Sequence, residues 1–295
     1  MKYWKPAAPL AAVLICGCAA LQNLDVNSMT GGRVSNEQFQ SATKVATAVH
    51  HGVADISESE EYYIGRAVAA QILSRYEPLD DPALNLYAQK IVQAVSMASD
   101  RPSIYRGYHV QILKSSEVNA FAAPGGFIFV TTGLLKLTRS EDELACVLAH
   151  EVAHVAKKHG LKTIKTSRLT SAFALLGTEA AKNYTSSQVA QLTDVFKGTV
   201  DDVVNNLVVK GYSRDKEYEA DKFGAQYARA ANYDPRALTA FLHRMEAADT
   251  AGAGGMFKTH PKASKRIDEL GTLSPSADYR PSPVRERRFK AAMTL

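Results

Sequence analysis

Cysteine is scarce in this chain. Three occur in 295 residues, and two of them, Cys16 and Cys18, lie near the N-terminus. Cys146 stands alone in the remainder, which excludes an internal disulfide framework. It sits in an apolar run and reads as a small buried hydrophobe. Long hydrophobic runs are also missing. Beyond the N-terminus no stretch approaches the ~18–20 apolar residues that a helix needs to cross a bilayer. The strongest candidate, LTSAFALLG at 169–177, reads instead as part of a buried helix or helical hairpin. Nor is there a large excess of one charge. The formal net charge is +5, and Lys2 and Lys5 lie in the leader described below, leaving +3. No basic stripe with interleaved aromatics occurs, so nucleic acid is not an expected partner. No internal repeat is visible.

What is present is a hydrophobic content of 46%, enough for one large core or two small ones. The N-terminus, MKYWKPAAPLAAVLICGCAALQN, has a basic start and a short apolar run from Ala7 to Ile15. That is the shape of a secretory leader. The run ends in Ile15-Cys16-Gly17-Cys18, which resembles the bacterial lipoprotein processing box with Cys18 as the lipidated residue. Ala19 follows, and the absence of Asp there points to an outer-membrane lipoprotein facing the periplasm. The expected organisation is a signal peptide over 1–17, a polar tether over 18–40, one domain over 41–275 and a solvated basic tail over 276–295.

From about Ser57 the pattern turns helical. SESEEYYIGRAVAAQILSRYE opens with Ser and acidic residues, and DPALNLYAQKIVQAVSMAS repeats the theme with Pro82 near its start. Then the period changes. YHVQILKSS at 108–116 alternates, and FIFVTTGLL at 127–135 is β-branched and aromatic, so both read as short strands of a small sheet. Ser140 to Gly160 is a strongly signalled helix. Ser140 and Glu143 have capping-box spacing. Lys157, Lys158 and His159 suit the negative end of the dipole, and Gly160 suits a left-handed stop. One long helical region is expected from about Ser186 to Ala231, and PRALTAFLHRMEAAD gives another. The fold class is therefore α+β and mostly helical, with a small sheet.

Within the helix, ELACVLAHEVAHVAKKHG holds His150, Glu151 and His154. Four residues turn a helix by about 400°, so His150 and His154 share one face, one turn apart. Both rings can reach one Zn²⁺. Glu151 lies about 100° away, where it can address water without being a ligand. An ordinary apolar helix with incidental histidines fits badly, because three ionisable groups among Leu144, Val147, Leu148, Val152 and Val155 are costly to bury unpaired. A catalytic zinc takes three protein ligands plus water. His159, nine residues past His150, projects to the opposite face of a continuous helix and reads as a helix-end cation or cap. The third ligand is sought in YSRDKEYEADKFGAQYA at 212–228. Glu217 and Asp221 are four apart on one face. Glu217 can ligate, and Asp221 can accept the ring N–H of a ligating histidine. Helical geometry alone does not choose Glu217 over Glu219.

Four segments occur in order: VNAFAAPGGFIFVTTGLL, LAHEVAHVAKKHG, YSRDKEYEADKFGAQYA and THPKASKRI. Together they resemble peptidase family M48, the zinc metallopeptidase group that includes HtpX, LoiP and BepA, over roughly residues 57–272. The resemblance implies a gluzincin-type zincin fold, a metalloendopeptidase activity and one Zn²⁺ per chain held by His150, His154 and Glu217. It implies Glu151 as the catalytic base, with His260 and Arg266 as assisting electrophiles. His260 could instead close the open zinc position at rest. Asn119, Ala120 and Phe121 are the expected edge strand for an extended substrate. The implied substrates are unfolded or extended envelope proteins, in a protein quality control role. The rival expectation is a chaperone-like, zinc-bound module for outer-membrane proteins with little or repressed protease activity.

Overall fold

The computed structural model describes residues 56–165, 168, 186–250, 260 and 263–294. The leader, Cys18, the tether and the 169–177 segment lie outside them. Helix α1 (Glu58–Leu73) starts with a full capping box, Ser57 with Glu60. Helix α2 (Pro82–Met97) starts at the Asp81 cap, with Pro82 in the first turn, where no amide hydrogen is needed. Strands β1 (His109–Leu113), β2 (Ala120–Ala123) and β3 (Phe127–Thr131) form a sheet ordered β1-β3-β2. The sheet is mixed: β1 runs parallel to β3, and β2 antiparallel. Pro124–Gly126 makes the tight turn between β2 and β3. Gly125 (φ 69°) and Gly126 (φ 87°) take the left-handed conformation it requires. The buried Glu61 carboxylate accepts the Gly125 N–H and pairs with Arg101, which fastens this turn to α1.

The expected strand at 127–135 ends early. Thr131 turns its hydroxyl to the Leu134 N–H and caps a short helix, α3 (Thr132–Leu137). Helix α4 (Glu141–Ala156) follows, capped by Ser140. The Glu143 carboxylate accepts the Arg139 N–H rather than that of Ser140, so the capping box is only half made. Nearly every residue of α4 is buried, including Leu144, Cys146, Leu148 and Val152. Each large aliphatic there contributes roughly 1.5–3 kcal/mol. This buried helix is the rigid axis on which the site is mounted.

The long helix expected over 186–231 is divided. Helix α5 (Ser186–Asn205) passes into a π turn (Asn206–Lys210) and stops at Gly211 (φ 76°). Helix α6 (Arg214–Ala230) follows and packs against α4. The approach is close at Gly224, where a side chain would put its Cβ 2.8 Å from the His150 backbone. Helices α7 (Arg236–Thr250), α8 (Ala263–Leu270) and α9 (Pro283–Ala292) complete the fold. The stretch expected as a solvated tail thus carries α9. Its Phe289 is buried and its Arg288 makes a bidentate ion pair with the buried Glu141. Among the described residues no helix is long and apolar enough to cross a membrane.

Candidate metal centre

His150 and His154 leave α4 on the same face, and their Nε2 atoms stand 3.0 Å apart. Helix α6 lays Glu217 across them. Its carboxylate lies 3.6 Å from His150 Nε2 and 3.5 Å from His154 Nε2. His260 completes the cluster, with Nδ1 2.6 Å from Glu217 Oε2. Ligand atoms of all four residues lie within 4.8 Å of one another, and all four side chains are buried.

Behind the cluster sits a second layer of charge. Asp221 Oδ1 is 2.9 Å from His150 Nδ1. Arg266 clamps the same carboxylate through two hydrogen bonds of 2.7 and 2.5 Å. Burial alone would drive Asp221 towards its neutral form. The Arg266 charge and hydrogen bonds outweigh it and hold the carboxyl well below the usual carboxylate range. An ionised Asp221 can only accept, so His150 donates its Nδ1 proton to it. Burial disfavours the imidazolium, but the Asp221 hydrogen bond and charge favour a proton on this ring and win. His154 differs. Burial drives it well below the ordinary histidine value, and the neighbouring His150 and His159 add to the shift. Glu217 is opposed by burial but stabilised as a carboxylate by His260 and His150.

These residues fit a divalent cation. The His150 and His154 rings and the Glu217 carboxylate converge in one buried cluster. Glu217 Oε1 has no hydrogen-bond partner although it is buried. Leaving such an oxygen unsatisfied costs free energy of order 1–3 kcal/mol, more for a charged group. Two imidazoles and a carboxylate are also the donor set that zinc prefers. Glu151 stands on the next position of α4, buried, with Oε1 lacking a hydrogen-bond partner. Burial raises its pKa, opposed by the neighbouring His150 and His260.

The structure moves two expected features. Gly160 is right-handed (φ −59°), and the left-handed residue is Lys158 (φ 55°). Helix α4 ends at Ala156, so the nine-residue count that put His159 on the far face does not apply. Instead the turn folds His159 back, with its Nδ1 2.8 Å from His154 Nδ1. Its Nε2 is 3.1 Å from Glu219 Oε2. Burial lowers the His159 pKa, and Glu219 opposes the shift. A third neighbour is Tyr212, whose ring stacks on His154 at 4.3 Å between centroids and 17° between planes. Tyr212 and Glu219 both lie in the carboxylate-rich segment, but nothing in helical spacing marks them.

Arg266 is fully engaged at Asp221 apart from Nη1, which has no hydrogen-bond partner and lies 3.9 Å from Glu217 Oε2. Asn119 is buried. Its Oδ1 accepts the Ala120 N–H, and its own N–H goes to Thr131. Ala120 and Phe121 lie in β2, the edge strand, which packs against α4.

A family model described as peptidase family M48 matches residues 82–274. The mitochondrial metalloendopeptidase OMA1 of Schizosaccharomyces pombe is 29% identical over 231 residues, covering 77% of this chain and 64% of the relative. The beta-barrel assembly-enhancing protease of Escherichia coli is 25% identical over 248 residues, 82% of this chain and 49% of the relative. Metalloprotease YcaL of Escherichia coli is 28% identical over 160 residues, 54% of this chain and 59% of the relative. The chain therefore spans between about half and two thirds of the length of these relatives.

Proposed function

The chain belongs to peptidase family M48, a family of zinc metallopeptidases, and from that premise we propose that it is a zinc-dependent endopeptidase of the bacterial cell envelope. Its substrates are unfolded or misassembled envelope proteins, and lipidated Cys18 anchors it to the outer membrane, facing the periplasm. The observation that carries the activity is the convergence of His150, His154 and Glu217 beside a buried, unpartnered Glu151. The leader with its Cys18 box supports the location. Relatives whose name assigns them to β-barrel assembly support the client class.

His150, His154 and Glu217 would hold the zinc ion, which would supply a lowered pKa for a water and polarisation of the scissile carbonyl. Glu151 takes the proton of the attacking water and hands it to the leaving amine. Its burial suits this work, because a raised pKa brings a carboxylate closer to the operating pH. Asp221 orients His150, and Arg266 keeps Asp221 ionised. Arg266 Nη1, without a hydrogen-bond partner, is the group left to meet developing negative charge. An extended peptide lies along β2 beside Asn119, Ala120 and Phe121 and pairs with backbone groups of the strand that face away from β3, not with those of Asn119, which are bonded to Thr131. Such pairing selects unfolded segments over folded ones.

A second reading, a chaperone-like module with repressed protease activity, is favoured by one observation: His260 stands among the ligand atoms themselves. The test of the main reading is Glu151→Gln. The variant should lose casein cleavage by about 10²-fold or more while keeping its zinc. Cleavage at the parent rate would overturn the mechanism.

A further inference from the structure

Resting on the metal-site reading above, we infer that His159 and Glu219 are positioning residues that set the tautomer of His154 and so aim its Nε2 lone pair at the metal. Glu219 is a carboxylate with a side chain 39% exposed, and a carboxylate can only accept. The atom 3.1 Å from its Oε2 is His159 Nε2, which must therefore carry the hydrogen. A neutral imidazole has one N–H, so His159 Nδ1 is then bare. It faces His154 Nδ1 at 2.8 Å, and two bare nitrogens at that distance repel. His154 Nδ1 must donate. That leaves His154 Nε2 bare, facing His150 Nε2 at 3.0 Å.

On the other side, Asp221 imposes the same outcome on His150. In the neutral rings, two independent carboxylates, Asp221 directly and Glu219 through one imidazole, thus place the hydrogen on Nδ1 and leave both facing Nε2 atoms bare. Reversing the chain fails. Were His154 to donate from Nε2, His159 would need its hydrogen on Nδ1. Its bare Nε2 would then oppose the Glu219 carboxylate. The relay also explains why a histidine is fully buried at position 159 beside a half-exposed acid. Partners of this kind, which hold a ligand's other ring nitrogen, typically change metal affinity by about 10–100-fold when lost.

The test uses three substitutions at the half-exposed Glu219, where folding is least at risk. Glu219→Gln still offers an oxygen to His159 Nε2–H. Glu219→Ala offers nothing, and Glu219→Lys offers only donors, which forces the relay backwards. Zinc dissociation constants from chelator competition should stay within about threefold of the parent for Gln, rise about tenfold for Ala and approach about 100-fold for Lys. The Co²⁺-substituted absorption bands should shift in the same order. All three variants binding zinc within twofold of the parent would overturn the proposal. Nitrogen-15 spectra of the zinc-free parent give a second readout. They should show neutral His159 protonated at Nε2, and a proton at Nδ1 instead would equally overturn it. A parent that takes up no zinc yet shows the Nε2 proton would sink the metal reading and leave the relay standing.

Discussion

At the scale of single residues, the site is a balance of burial against pairing. Glu217, Asp221 and Arg266 are each nearly inaccessible. Isolated charges so placed would cost several kcal/mol apiece. Mutual pairing offsets part of that cost, and a bound cation would offset more. His260 is placed to affect activity because it stands among the ligand atoms. Its Nδ1 holds Glu217 at 2.6 Å, and its ring crowds the ligand atoms. If it restrains the resting enzyme, His260→Ala should raise the casein cleavage rate several-fold at unchanged zinc content. A fall in rate would assign it instead to assisting the reaction. At this scale the sequence was legible where regular helix geometry held. His150, Glu151 and His154 follow from i, i+4 spacing, as does the pairing of Glu217 with Asp221 on one face. His159 was not legible. Its position depends on Lys158 turning left-handed two residues past the helix end, a choice that the nearby Gly160 disguised. Tyr212 was hidden for a similar reason, since its stacking on His154 follows from the backbone turn after Gly211.

At the scale of elements, the centre depends on how closely α4 and α6 approach. Gly224 permits it, since any Cβ there meets the His150 Cα and N at 2.8 Å and Ala149 C at 3.1 Å. These are backbone atoms and cannot swing aside. Gly224→Ala should therefore push α6 off α4 and carry Glu217 and Asp221 away from the histidines. Overpacking of this sort costs about 1–3 kcal/mol. Thermal unfolding should show a lower Tm, and chelator competition should show weaker zinc binding. An unchanged zinc affinity would show that the helix spacing does not set the ligand geometry. The elements were mostly readable from periodicity and end signals: α1 from its opening Ser and acidic residues, α2 from Pro82 near its start, α4 from Ser140. Two boundaries were not. Thr131 and Thr132 look like strand residues by their β-branching, yet the Thr131 hydroxyl spends itself on a helix cap. Gly211 breaks the long helix, and its amphipathic pattern continues on both sides of the break.

At the scale of the whole domain, long-range pairs hold the scaffold around the centre. Buried Glu141 is the main junction. It accepts from Tyr87 on α2 and from Tyr233 after α6, and it pairs with Arg288 on α9. The basic end of the chain is therefore a strut rather than a solvated tail, although composition alone could not reveal its partner. Glu141→Ala leaves both phenols and the guanidinium without their acceptor. It should cost a few kcal/mol, and each kcal/mol corresponds to about 2–4 °C in Tm for a domain of this size. Limited trypsin digestion should then cut first within α9. No change in Tm would remove Glu141 from this role. The metal centre is likewise a property of the whole fold, since α4, α6 and the segment at His260 each contribute a group. The most direct measurement is zinc per chain in the purified protein and in Glu217→Ala. A site of three protein ligands and water should hold about one zinc per parent chain, with a large loss in the variant. No zinc in the parent, or equal zinc in both, would contradict it.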